Sequence, residues 1–446
     1  MKAFTPVYIP AGVGTFHMET ADAAFRSSRE MLADIDGRFV CPENKLLSVE
    51  DLAAFLDSTD PDFIVFQNLT FANGAYMSEL LRRFNDRPVL LWTLREPISD
   101  GGRLKLNSLT GAFSAANVLH SFGHKGFEYV LGAPGEDETR ESIKAACRAA
   151  ELAHDMKSLK LAAVGHTPQG FGFGRALDTE LTRVFGAELV SAEAREIMDK
   201  ARSYTDGDCT EYLERTAAIC KGFEATPEEN RIAHAKLYRA YTEFIRDNGI
   251  GALASRCWPD FFTAYGTPVC AVLSLLNDDG IASACEADVY GALSMWAGMR
   301  LSSGPVFFGD PVSLCEQDGT ITFWHCGAAA CSLARRDTGA RVGVHPNRKI
   351  GPAMDFGCEA CDGATVFRIG RLPDGGFRFF IEEGTIPDMP KQYTGTSVVV
   401  KTDRSARDIV EEGVRAGWEP HFAVIRGRHG RELRALASFL GISCDR

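Results

Sequence analysis

Residues 280–298 read GIASACEADVYGALSMWAG. The first part, small and apolar up to Cys285, has the make-up of a short buried strand, and the remainder, from just after Glu286, that of an apolar helix. A strand running directly into a helix is the repeating join of an α/β fold. It sets Glu286 at the carboxyl edge of a parallel sheet, where open α/β sheets gather their ligands. Asp288 stands two residues on, and positions i and i+2 of a helix do not share a face. A Glu286 that points at a site therefore leaves Asp288 elsewhere, as a first-turn acid favoured by the helix dipole.

A second acid, Asp310, follows in GPVFFGDPV, in or just after a β run and flanked by Gly309 and Pro311. Acids in apolar surroundings are ion-paired, metal-bound or kept for proton transfer. An Asp capping its own turn is the plainer alternative.

Upstream, the βαβ pattern extends to the start of the chain. PVYIP, DFIVFQN, PVLLWTL and FEYVLGA are β-rich runs separated by amphipathic stretches such as SVEDLAAFLDS, in which Ser48 and Asp51 form a capping box. The pattern restarts at LKLAAVGH. Beyond residue 303 it turns β-rich: VFRIGRLPDGGFRFFIEEGTI places a hairpin at Pro373-Asp374-Gly375-Gly376, and TGTSVVVKT adds a strand. The expected fold is α/β, with two doubly wound α/β domains (1–157 and 158–302, the latter carrying Glu286) followed by a β-rich C-terminal domain (303–446) carrying Asp310 and His421.

Composition narrows the function. A chain of 446 residues with net charge −12 lacks the clustered bases that phosphate backbones require, so nucleic acid is not the expected partner. No apolar run approaches a membrane span, and the opening MKAFTPVYIPAG has polar and Pro breaks where a signal peptide needs its apolar centre, so a cytoplasmic protein is expected. Thirteen scattered cysteines fit reduced thiols. The one CxxC, Cys358 to Cys361, has no second pair to complete a zinc site. The run GHTPQGFGFGRA gives GxGxG at Gly170, Gly172 and Gly174 and lacks the dinucleotide spacing, so it reads as a strand-to-helix turn.

Three histidines sit by apolar strands in the last third: His325, His345 and His421. His421 enters a strand through Pro420, a position from which an imidazole can meet carboxylates brought from elsewhere. Two carboxylates and one imidazole suit Mn²⁺ or Mg²⁺ better than a thiolate-rich zinc site does.

CEADVYGALSMWAG, GPVFFGDP, WHCGAA and PHFAVIRGRHGRELRALASFLGI, in that order, resemble the L-fucose isomerase family, within the L-fucose and L-arabinose isomerase superfamily; LNSLTGAFSAANVL and GHTPQGFGFG extend the likeness upstream. The resemblance implies a metal-dependent aldose–ketose isomerase working through an ene-diol. Glu286 and Asp310 would be the acid/base pair, and both, with His421, would ligate Mn²⁺, with Mg²⁺ or Co²⁺ as alternatives. His325, Asn107, Gln169, Trp258 and Arg426 would contact the sugar, His325 alternatively the metal. It further implies a homo-oligomer with sites near subunit interfaces. The chain is shorter than the bacterial L-fucose isomerases and matches loosely before residue 100. L-fucose or D-arabinose are the family's default substrates, and this departure opens the alternative of another aldose, such as the modified hexose sulfoquinovose, giving sulfofructose. A sulfonate would need fixed bases, for which Arg348, Lys349, Arg426 and Arg428 are candidates. A sugar-binding protein without catalysis, or a metal-dependent hydrolase or aldolase, are the competing expectations.

Overall fold

The computed structural model describes residues 3–444. The chain forms two compact units, one from the chain up to Asp155 together with Arg431–Ser443, the other from Met156–Gly430. Segments 158–302 and 303–430, assigned above to separate domains, thus lie in one unit. The terminal helix Gly430–Leu440 joins the N-terminal unit, where Phe439 meets Phe63 at 5.9 Å between ring centroids.

In the N-terminal unit the parallel strands Pro6–Ala11, Phe63–Asn68, Val89–Thr93 and Phe127–Leu131 pair in chain order. The first three are buried along their whole length, as their continuous apolar runs require. The capping box opens the helix Val49–Asp57: Ser48 accepts from Asp51 N, and Asp51 accepts from Ser48 N.

The second unit holds a parallel sheet in the order Glu188–Ala192, Lys160–Val164, Ala252–Ser255, Ala282–Cys285. The chain leaves Lys160–Val164 toward one edge and returns on its other side, so the strand order reverses between Lys160–Val164 and Ala252–Ser255. The two strands stay paired to their last residues, Val164 opposite Ser255, and the loops 165–171 and 256–260 leave the sheet at this switch point, where open α/β sheets gather ligands.

The remaining long strands make a barrel. Thr396–Thr402, Thr320–His325, Phe307–Cys315, Phe422–Arg426, Cys361–Arg371 and Phe377–Ile386 pair antiparallel in that order, and Phe377–Ile386 pairs back to Thr396–Thr402. Closure leaves these strands no free edge. The hairpin falls where its turn residues put it, with Arg371 opposite Phe377.

Sheet and barrel are joined by the helix Val289–Ser302, which is buried on nearly every side, consistent with its lack of a polar face. Two glycines, seven residues apart and so on one face, set its distance from the barrel. A Cβ at Gly291 would lie 2.6 Å from the Phe308 ring, and one at Gly298 would lie 2.7 Å from Ile425. This close approach carries Glu286, at the end of the sheet, to Asp310 and His421 on the barrel. Among the described residues no helix is long and apolar enough to cross a membrane.

Candidate active site

Glu286 follows the strand Ala282–Cys285, but the helix begins only at Val289. The intervening Glu286 and Ala287 both take left-handed backbone angles, φ 60° and 56°, a conformation that costs a non-glycine residue about 1–3 kcal/mol and collects at functional sites. Hydrogen bonds hold the turn: Ala287 N donates to Ser255 O (3.0 Å) and Asp288 N to Cys285 O (3.2 Å).

Asp288 corrects the expectation drawn from helix geometry. It is the N-cap residue, outside the helix, so the i, i+2 rule does not apply to it. Its Oδ1 accepts from Gly291 N at 2.9 Å, and the side chain is buried among site residues. Arg368 grips it with both terminal nitrogens, at 2.6 and 3.1 Å, and its Oδ2 lies 2.9 Å from His421 Nδ1. Asp288, Arg368 and His421 are all withdrawn from solvent. Burial alone would raise the Asp288 carboxyl, but the Arg368 charge, then His421, override it and hold Asp288 well below the usual carboxylate range.

The ionised Asp288 accepts the Nδ1 proton and so turns the lone pair of a neutral His421 out through Nε2. That nitrogen is buried and has no directed hydrogen bond. Glu286 Oε2 lies 3.1 Å from it and Asp310 Oδ1 3.5 Å. Burial disfavours the charged imidazole; Asp288 and Glu286 oppose this, and the balance raises His421 above the ordinary histidine value. Phe308 and Phe173 pack on the ring at 4.8 and 5.3 Å and hold it.

Asp310 stands within the strand Phe307–Cys315, opposite Trp324, so it is neither at a strand end nor in a turn. Burial raises its carboxyl above the ordinary value against the pull of His421 and His325. Trp258 donates its indole N–H to Glu286 Oε1 at 3.2 Å. His325, the last residue of its strand, joins Glu286 and His421: the three offer ligand atoms within 4.8 Å of one another.

These residues fit a divalent cation. A buried imidazole nitrogen without a hydrogen bond, oriented by a carboxylate behind it and facing carboxylate oxygens, is the arrangement of a metal-ligating histidine, and the oxygen and nitrogen donors suit Mn²⁺, Mg²⁺ or Co²⁺.

The other expected residues are distributed more widely. Gln169 is exposed, in the loop that follows Lys160–Val164. Asn107 belongs to the N-terminal unit, where it precedes the helix Ser108–Ser121 at φ 52° and its Oδ1 accepts from Thr110 Oγ1. Arg426 donates to Ala360 O at 3.3 Å, and no contact given by the structure joins it to Glu286 or His421. His345 is buried with Cys270 and Cys326. Cys358 is buried, and neither it nor Cys361 belongs to a group of metal-ligating side chains among the described residues. Arg368 escaped the sequence reading; an arginine inside the apolar run ATVFRIG was the available signal, since full burial demands a partner.

Two carboxylates and an imidazole that converge from the end of the parallel sheet and from the barrel are equipped to move protons on a small polar molecule. The protein is an aldose–ketose isomerase, an intramolecular oxidoreductase of sugars. Over 445 residues, covering 100% of this chain and 99% of the relative, it is 57% identical to the sulfoquinovose isomerase of Clostridium sp. (strain MSTE9). It is 37% identical over 446 residues to that of Priestia aryabhattai, covering 99% of each chain, and 36% identical over 444 residues to that of Alkalicoccus urumqiensis, covering 98% of each. The chain belongs to the sulfoquinovose isomerase family. No family model matches it.

Proposed function

We propose that the protein interconverts sulfoquinovose and its 2-ketose, sulfofructose, through an ene-diol, with Mn²⁺ (or Mg²⁺ or Co²⁺) held by Glu286, Asp310 and His421. One observation carries the reading: Glu286 Oε2 and Asp310 Oδ1 stand 3.1 and 3.5 Å from the buried His421 Nε2, in a chain similar throughout to sulfoquinovose isomerases.

Moving a carbonyl from C1 to C2 removes a proton beside a carbonyl and returns one to the neighbouring carbon. The bound cation would stabilise the negative charge that develops on the sugar oxygens. One carboxylate takes the carbon-bound proton while its partner serves the hydroxyl protons, a division that needs two acids in different environments. Glu286 and Asp310 differ in this way: Glu286 accepts the Trp258 N–H, whereas burial raises Asp310. Asp288 and Arg368 keep His421 in place with its Nε2 turned toward Glu286 and Asp310. His325 completes the ligand set or contacts the sugar.

The likeness to the L-fucose isomerase family supports the same roles, and with them a cytoplasmic homo-oligomer. Incubating the protein with sulfoquinovose and Mn²⁺ in deuterated water tests the reading. Ketose forms and solvent deuterium enters at C1 or C2. Cleaved fragments would instead establish a hydrolase or aldolase, and tight binding without turnover a sugar-binding protein.

A further inference from the structure

We infer that Arg348, seated over Trp258, is the cation that receives the sulfonate of the substrate; the inference rests on the substrate reading above. A sulfonate stays ionised at every pH at which the protein is folded, so burial cannot neutralise it as it can a carboxyl. A site that selects a sulfonated hexose must therefore supply fixed positive charge or N–H donors at the end of the sugar away from the reacting carbons.

The four bases picked out in the sequence separate clearly. Arg428 is engaged with Asp403 through both terminal nitrogens, at 2.5 and 3.2 Å. Arg426 donates to Ala360 O, and among the described residues no ion pair joins it to Glu286 or Asp310. Lys349 is exposed, as Arg348 is, but its left-handed backbone at φ 59° turns the chain just after Arg348, and no ring or carboxylate contact holds its side chain among the described residues. The Arg348 guanidinium lies 5.2 Å from the centre of the Trp258 ring, and its side chain makes no ion pair among the described residues.

Other nearby cations are committed. Arg256 is paired with Asp260, Arg175 donates to Thr167 Oγ1, and Arg368 is buried against Asp288.

Trp258 is the ruler between the two ends of the site. Its indole N–H touches Glu286 at 3.2 Å while Arg348 sits over the ring. One tryptophan therefore touches both the carboxylate that works at C1 and C2 and a guanidinium with no ion pair among the described residues. Phe171, edge-on to Trp258 at 6.1 Å, continues the wall toward Phe173 and His421. The arginine is also held from behind: its backbone N–H points to His345 Nδ1 at 3.3 Å, and His345 is buried against Phe262 at 5.0 Å. Stacking on an indole leaves the planar fork of an arginine free to donate sideways, the geometry that pairs with two oxygens of a sulfonate.

The test compares initial rates of sulfoquinovose isomerisation by the full-length wild type, Arg348→Gln and Arg348→Lys, across a range of salt concentrations. Arg348→Gln raises KM about tenfold to a hundredfold, the loss expected for a charge-assisted pair, and leaves kcat within about twofold. Arg348→Lys recovers part of the loss, since the charge remains and the fork does not. The wild-type KM rises with salt and that of Arg348→Gln stays flatter. An Arg348→Gln enzyme with unchanged KM and salt dependence overturns the inference while leaving the substrate reading intact. A fall in kcat with unchanged KM also overturns it, by giving Arg348 a merely structural role. Absence of turnover by the wild type overturns the substrate reading, and this inference with it.

Discussion

His421 Nδ1 lies 2.9 Å from Asp288 Oδ2, and neither side chain reaches solvent. Asp288 is thus shared between His421, which faces Glu286 and Asp310, and the buried Arg368. Replacing it as Asp288→Asn leaves the Arg368 charge buried without its counter-charge and frees the His421 tautomer. Stability falls by about 3–5 kcal/mol, measured by urea denaturation, and Mn²⁺ affinity falls about tenfold to a hundredfold, measured by titration. Unchanged metal affinity in a folded Asp288→Asn protein would remove the orienting role.

Glu286→Gln and Asp310→Asn each abolish turnover, because an amide keeps the shape of the side chain but neither accepts the proton nor neutralises a cation. Both proteins remain folded, as judged by circular dichroism. A fully active Glu286→Gln enzyme would sink the assignment.

His421→Ala behaves differently from the acid variants. It removes one imidazole and leaves both carboxylates, so its main effect is weaker metal binding, and part of the activity returns at high Mn²⁺. Activity lost at Glu286 or Asp310 does not return. Equal rescue of all three would show that the carboxylates serve only to hold the ion.

A histidine far along the chain sets part of the acid sensitivity. His234 is buried beside Phe223, and burial pulls its imidazole down to about 3. The unfolded chain, with an ordinary histidine near 6.5, therefore binds one more proton than the folded chain between these values. The His234 contribution to stability is complete above the unfolded value and is lost as pH falls toward the folded one, at up to ~1.4 kcal/mol per pH unit. His234→Gln lowers that slope by about one proton, read from denaturation midpoints between pH 4 and pH 7. An unaltered slope would refute the assignment.

Cys358→Ser serves as a control. With Cys358 buried outside any group of metal-ligating residues among those described, the variant keeps wild-type metal content and rate. Loss of bound metal would make the CxxC a site in its own right.

Much was legible without coordinates. Strand runs such as PVLLWTL, the capping box at Ser48, the hairpin at Pro373–Gly376 and the strand-to-helix join at Glu286 are local patterns of periodicity and turn chemistry, and a single stretch of chain expresses each. The acids Glu286 and Asp310 and the histidine His421 could likewise be named, because polar groups in apolar surroundings announce themselves. Tertiary structure alone decided what they touch. Asp288 looked like a helix-dipole acid because its neighbours in sequence gave it no other task; its partners Arg368, in a barrel strand, and His421, at the entrance to another, lie 80 and 133 residues away. The closure of Phe377–Ile386 onto Thr396–Thr402, and the approach of the helix to the barrel at Gly291 and Gly298, are contacts between distant segments. Local sequence limits which residues can carry the chemistry, but the distances that make it possible are set by packing, which depends on the whole chain at once.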